Sequence, residues 1–306
     1  MDARPDWGGV FAYLPTLFTQ DEALDVGALG RLVEDLVGAG IHGVTPLGST
    51  GEFPYVAPAE RVRLAHVVVE ASAGRVPVVH GVGGFSLAEV LDQVRGARDA
   101  GVDGLLCVQQ AFYTPSLDEI VDFHTAVAEE SGLPVVAYHN PGQCRVPFDE
   151  AVIARLAAIP GVVGFKDASG ELRNIVRWRQ AAETDIDLFA ATAVPLVPAM
   201  LYGAVGWMSG PACAVPGASV ALYELCRAGA WQQAVELEQV LAPLTAAFVR
   251  LGQAQTVKSL LAHLGYGTGR LAAPLRPVTA QDAAQLARVH AAVTAAAADL
   301  TPGDAR

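Results

Sequence analysis

Val162-Val-Gly-Phe-Lys-Asp-Ala-Ser-Gly170 is the stretch from which both fold and chemistry can be read. Four apolar or small residues run directly into Lys166, and small, helix-starting residues follow. The pattern predicts a buried strand with an amine at its C-terminal end. Burial disfavours the ammonium form and lowers the pKa. An uncharged amine attacks a ketone and forms a Schiff base. The competing reading is a lysine that snorkels to the surface or pairs with Asp167, because lysine is seldom fully buried.

Working outward, short β-rich runs occupy residues 10–18, 43–47, 76–82, 104–108, 134–138, 162–166, 187–191 and 203–209. Helical periodicity fills the intervals at 25–39, 58–73, 87–100, 117–131, 149–158, 172–182 and 193–202. Pro58 stands at a first helical position, Ser86 reads as a cap, and Ser116 with Glu119 reads as a capping box. Strands alternating with helices predict parallel pairing through right-handed crossovers. An α/β fold follows, and two forms of it compete. The strand count, the even spacing and the lack of Gly-x-Gly-x-x-Gly after the first strand favour a (β/α)8 TIM barrel over an open doubly wound sheet.

After Ser209 the alternation stops. Residues 220–229, 231–251, 256–264 and 279–300 read as helices, and the interval 265–277 is rich in Gly and Pro. The expected organisation is a barrel over 1–220 and a C-terminal helical extension over 221–306. Thr301–Arg306 is expected to fray.

Hydrophobic residues make up 52% and charged residues 17% of the 306, which indicates a large core. The net charge of −12 argues against nucleic acid and anionic membrane as partners. Cys107, Cys144, Cys213 and Cys226 are widely spaced, as expected of thiols in a reducing compartment, with Cys144 the one that reads as exposed. The N-terminal residues lack a signal-type apolar core, and no long uncharged apolar run occurs, so a cytoplasmic protein is expected.

In a barrel of this kind chemistry belongs at the C-terminal strand ends. Gly48-Ser49-Thr50-Gly51-Glu52 follows the second strand, where glycines expose amides and hydroxyls add donors for a carboxylate or phosphate oxygen. The alternative is an ordinary Gly-rich turn, with Glu52 bracing it. Tyr138 ends the fifth strand, where a phenol can move a proton or merely pack. His80 and His139 read as strand-end groups that either tune the mouth or serve the structure. Gln109 and Gln110 are polar groups after the fourth strand. No His-x-His or His-Glu-x-x-His spacing is present, so neither a metal nor another cofactor is expected.

With these pieces in place, the chain resembles the dihydrodipicolinate synthase/N-acetylneuraminate lyase family of class I aldolases. The resemblance rests on Gly9-Val-Phe-Ala-Tyr-Leu-Pro-Thr-Leu-Phe18, Gly48-Ser-Thr-Gly-Glu52, Tyr138 and Gly164-Phe-Lys-Asp167. It also rests on Gly203-Ala-Val-Gly206, Leu264-Gly265 and Pro274-Leu-Arg-Pro277, and so covers nearly the whole chain. It implies that Lys166 forms an imine with pyruvate or a related 2-oxo acid and that Tyr138 relays protons. It further implies that Gly48, Ser49, Thr50 and Gly51 hold the carboxylate, that Ser49 links Tyr138 to solvent, and that the backbone at Met208 lies near the substrate. An aldehyde partner and a homotetramer are likewise implied. The reaction classes within the family are aldol cleavage or condensation, dehydration of a 2-keto-3-deoxy sugar acid, and 4-hydroxy-tetrahydrodipicolinate synthesis.

Two departures bear on substrate. Phe112 stands where relatives carry a tyrosine that reaches a neighbouring subunit's site. Gln143 stands where synthases carry a carboxylate-gripping arginine, with Arg145 two residues on. Trp207 and Met208 are large groups expected near the mouth, which suggests an apolar or aromatic aldehyde partner, unless Trp207 simply packs between strand and helix. A non-catalytic, metabolite-binding barrel is the expectation from a different class.

Overall fold

Apolar and small residues in period-two runs, each followed by an amphipathic helix, can bury both faces of a strand only inside a ring of helices. The computed structural model describes residue 5, residues 7–267 and residues 269–299, and it has that architecture. The strands are β1 (Gly9–Tyr13), β2 (Gly43–Thr45), β3 (Val79–Gly84), β4 (Gly104–Gln109), β5 (Val135–His139), β6 (Val162–Asp167), β7 (Asp187–Ala191) and β8 (Gly206–Ser209). They pair in parallel in the order β2-β1-β8-β7-β6-β5-β4-β3. A parallel bridge between Val44 and Val78 and the hydrogen bond from Gly81 N to Pro46 O close the ring. The chain is therefore a (β/α)8 barrel.

The outer layer comprises α1 (Val26–Gly38), α2 (Pro58–Ser72), α3 (Leu87–Asp99), α4 (Leu117–Ser131), α5 (Pro141–Cys144), α6 (Glu150–Ala157), α7 (Asn174–Ala181) and α8 (Leu196–Leu201). Ser116 and Glu119 form the expected reciprocal capping box on α4. Ser86 occupies the cap position of α3, but its side chain makes no capping bond. The one-turn helix α5 was not expected; Asn140-Pro141 starts it and Arg145, at φ 61°, ends it. The first strand is shorter than the run 10–18 suggests, because Phe18 leaves the barrel to bridge Leu24.

Inside the barrel, alternate residues fill the interior. Phe11 and Phe189 meet edge to face with ring centres 5.7 Å apart. Close strand approach demands glycine at Gly206, where a Cβ would fall 2.1 Å from Gly9 O. Trp7 plugs the N-terminal end against Gly104 and Phe11.

Among the described residues four helices follow β8: α9 (Pro216–Arg227), α10 (Trp231–Leu251), α11 (Gln253–His263) and α12 (Ala280–Asp299). The expected boundary at 220/221 falls within α9, which packs against β1, α8, α10 and α12. Gly252, at φ 101°, is the single residue separating α10 from α11. Helix α11 returns to pack on the Ser49–Gly51 turn. The expected frayed tail, Thr301–Arg306, lies outside the described residues. Among the described residues no helix is long and apolar enough to cross a membrane.

Candidate active site

Parallel register puts Tyr138 of β5 beside Lys166 of β6, and Lys166 beside Phe189 of β7. Residues in register on neighbouring parallel strands share a face, so phenol and amine both enter the barrel. Lys166 is 3% and Tyr138 3% exposed. The Lys166 Nζ stands 4.2 Å from the centre of the Tyr138 ring and 3.7 Å from that of Tyr13. Burial alone drives the amine well below its ordinary pKa. The uncharged form that burial favours is the nucleophilic one. Snorkelling is excluded by this burial.

Pairing with Asp167 is excluded as well, because the Asp167 side chain points the other way. Its carboxylate accepts from His139 Nδ1 at 2.8 Å, Ser169 N at 2.9 Å, Ser169 Oγ at 2.8 Å and Asn174 Nδ2 at 3.0 Å. His139 Nε2 accepts from Phe148 N at 3.1 Å, which makes Nδ1 the protonated nitrogen. His139 thus ties β5 to β6 and stacks on Phe148; it takes no place at the mouth. His80 corrects its expected position too. Strand β3 runs on to Gly84, so His80 lies near the strand's start, buried and lining a cavity of about 320 Å³ with Arg61, Glu89 and Gln93.

The Tyr138 hydroxyl accepts from Asn140 Nδ2 at 3.2 Å, and the Ser49 side chain lies beside it. Burial raises its pKa, and these two neighbours offset part of the rise, so the phenol keeps its proton. The structure therefore brings Lys166, Tyr138 and Ser49 together. The turn itself is a single 3-10 turn, Ser49–Gly51, in which Gly51 N bonds Gly48 O and Glu52 N bonds Ser49 O. Those two amides are consumed internally. Ser49 N and Thr50 N have no backbone partner among the described residues and remain as donors. Thr16 Oγ1 donates to Gly51 O at 2.6 Å and ties the turn to the end of β1. Thr50 is buried with its hydroxyl beside Gly210. Gly48 is required as glycine because a Cβ would fall 2.4 Å from Tyr13 Cε1. Glu52 braces the turn, accepting from Ala272 N at 2.7 Å and pairing with Lys258.

Met208 enters the barrel from β8, and its Sδ accepts from the Tyr13 hydroxyl at 3.5 Å. Trp207, the next residue back, must face outward. Its Nε1 donates to Ala191 O at 3.2 Å, and its ring lines a small cavity with Leu222 and Leu241. It is absent from the mouth, which removes its support for an aryl aldehyde. Cys144 is buried, not exposed, and donates through Sγ to Tyr138 O at 3.6 Å; burial raises its pKa. Phe112 is 71% and Tyr113 82% exposed, with rings 5.1 Å apart. Gln143 O accepts from Ala111 N at 3.0 Å, and Arg145 is exposed. Tyr13 is the residue that sequence reasoning passed over. Its signal was available, since it ends β1 much as Tyr138 and Lys166 stand one residue from the ends of β5 and β6.

A (β/α)8 barrel with a weakly basic, buried lysine and a phenol at the C-terminal strand ends defines a class I lyase, an enzyme that works through a lysine imine. The chain belongs to the dihydrodipicolinate synthetase family, whose model matches residues 6–295. It is 34% identical over 280 residues to the 4-hydroxy-tetrahydrodipicolinate synthase 2 of Streptomyces coelicolor, covering 92% of this chain and 93% of that one. The 4-hydroxy-tetrahydrodipicolinate synthase structure from Methylacidiphilum fumariolicum SolV superposes with a TM-score of 0.90 at 27% identity, covering 96% and 98%. The dihydrodipicolinate synthase of Thermotoga maritima gives 0.88 at 27%, covering 94% and 98%.

Proposed function

We propose that this lyase joins pyruvate, or a related 2-oxo acid, to an aldehyde, or reverses that step, through an imine on Lys166. The observation that carries the reading is the Lys166 amine, buried between two phenol rings with its neighbouring carboxylate engaged elsewhere. The amine lone pair attacks C2, one amine proton passes to the resulting oxygen to give a carbinolamine, and the Tyr138 phenol donates the second proton so that the hydroxyl leaves as water and an iminium remains. The iminium draws electrons from C3, the Tyr138 phenolate takes up a C3 proton, and an enamine forms with the phenol restored. Its C3 attacks the aldehyde carbon while a proton from Tyr138 neutralises the new alkoxide. Water then hydrolyses the product iminium to the ketone and the free Lys166 amine, and the proton released restores the Tyr138 phenol through Ser49. The free amides of Ser49 and Thr50, between Gly48 and Gly51, hold the carboxylate, and Met208 closes the wall beside Tyr13.

Incubation with pyruvate and borohydride tests this directly. A stable adduct on Lys166 is expected, and none on a non-catalytic metabolite-binding barrel. Product analysis with a panel of aldehydes then separates aldol chemistry from dehydration of a keto-deoxy sugar acid. 4-Hydroxy-tetrahydrodipicolinate synthesis belongs in that panel because the curated relatives bear its name.

The reading includes a cytoplasmic homotetramer. Four buried free thiols suit a reducing compartment. Exposed Phe85, Phe112 and Tyr113 suit cover by another copy of the chain. Light scattering that returned a monomer mass would remove the assembly.

A further inference from the structure

The reaction scheme makes no use of Tyr13, yet its ring touches both halves of the site. Its Cδ1 and Cε1 atoms lie against Gly48, the first residue of the turn, and the Lys166 amine stands over the ring at 3.7 Å. The side chain is 1% exposed. Its hydroxyl is spent on Met208 Sδ, a weak acceptor, and its own carbonyl accepts from Cys213 Sγ at 3.0 Å. The ring is thus fixed from β8 and from the segment after it, while the amine is sandwiched between Tyr13 and Tyr138.

We propose that Tyr13 is a positioning residue whose ring, not its hydroxyl, holds the Lys166 amine in its attacking rotamer and keeps water from it. The inference rests on Lys166 being the imine-forming residue. A lysine side chain has four rotatable carbon–carbon bonds and a strongly hydrated head, so an unpaired amine swings toward water unless it is crowded. A carboxylate would hold it, but would also keep it protonated. An aromatic wall holds it without occupying the lone pair.

The groups facing the amine agree with this role. Tyr13 from β1 and Tyr138 from β5 are the titratable ones, and burial keeps both protonated. Thr45 on β2, in register with Tyr13, Phe189 on β7 and Met208 on β8 carry no charge. The Thr45 hydroxyl is buried without a hydrogen-bond partner. Removing the Tyr13 ring opens a phenol-sized space between that hydroxyl, the amine and the turn. A polar space of that size fills with water. Hydration restores the ammonium, and the amine then needs a higher pH to react.

Borohydride trapping of pyruvate on the full-length protein, measured against pH, tests the idea. Tyr13→Phe should keep the trapping midpoint within a few tenths of a pH unit. Tyr13→Ala should raise it by about one unit and slow trapping at pH 7 about tenfold. Circular dichroism and a thermal melt establish that each variant is folded. If the alanine variant fails to fold, Tyr13→Leu, a smaller side chain than tyrosine, leaves part of the space open to water and should show a smaller shift in the same direction. An unchanged midpoint in a folded alanine or leucine variant overturns the proposal, as does loss of trapping in Tyr13→Phe. Wild-type protein that traps no pyruvate at any pH overturns the imine reading itself, so the two failures are distinct.

Discussion

The Glu52 carboxylate and the Lys258 ammonium form an ion pair sealed between the Gly48–Glu52 turn and α11. Burial raises the pKa of Glu52 and lowers that of Lys258, and each charge offsets part of the other's shift. Further contacts hold the pair at its rim. Glu52 accepts from Ala272 N, Lys258 donates to Arg270 O at 2.7 Å, and the ammonium lies 4.4 Å from the Phe18 ring centre. The C-terminal extension thereby clamps the turn proposed to bind the substrate carboxylate.

Lys258→Met should leave a buried carboxylate uncompensated and cost about 3–5 kcal/mol of stability. The loosened turn should raise KM for the 2-oxo acid more than it lowers kcat. Urea unfolding and steady-state kinetics check the two parts. Lys258→Met combined with Glu52→Leu should recover stability but not KM.

Two buried histidines set an acid limit on stability. His80 and His124 are both held neutral, their pKa values pushed down to about 4 by burial. Above pH 6.5 neither state binds a proton, so neither residue makes stability depend on pH. Between pH 6.5 and 4 the unfolded chain takes up protons that the folded chain refuses, so stability falls with pH. Below 4 both states are protonated and the slope flattens. Each histidine accounts for about 3 kcal/mol across that window. His124, bonded through Nδ1 to Ile120 O and edged by Phe123 and Phe148, is the simpler one to remove. Unfolding of His124→Phe followed against pH should show a slope shallower by up to one proton.

Lys166→Met should abolish trapping while raising stability by about 1–2 kcal/mol, because an amine without a bonding partner is costly to bury and a thioether is not. A melting temperature that fell would mean the amine is better satisfied than its surroundings suggest.

Tyr138→Phe should lower kcat about 10²–10⁴-fold, the range for a lost general acid–base. Binding of the 2-oxo acid, read by trapping at equilibrium, should change far less. Asn140 Nδ2 loses its acceptor in this variant, so a small stability loss should accompany it.

Trp207→Phe should cost stability, since it removes the bond to Ala191 O and part of a packed ring, while leaving the preference among aldehydes unchanged. A changed preference would return Trp207 to the mouth.

Much of this molecule was legible in one dimension because its signals are local. An apolar run ending in Lys166 marks a strand and its end wherever the strand sits. The Ser116–Glu119 box and Pro58 mark helix starts for the same reason. Other features are set by contacts distant in sequence. Trp207 and Met208 are adjacent, and the chain does not say which of two neighbours on a strand faces inward until β8 takes its register with β1 and β7. Cys144 reads as a loop residue because α5 is only one turn long, yet that turn folds it beneath Tyr138.

By itself, then, the sequence determined the alternation of strands and helices, the strand end that bears the amine, and the family. Only the tertiary structure decided what surrounds that amine. Closing the barrel carried Tyr13 to Lys166 and to Met208, 195 residues away in the chain. It turned Asp167 toward His139, and it laid α11 on the turn so that Lys258 met Glu52. A side chain's period is written in its own strand, but its partners are written in strands that meet it only after the ring has closed.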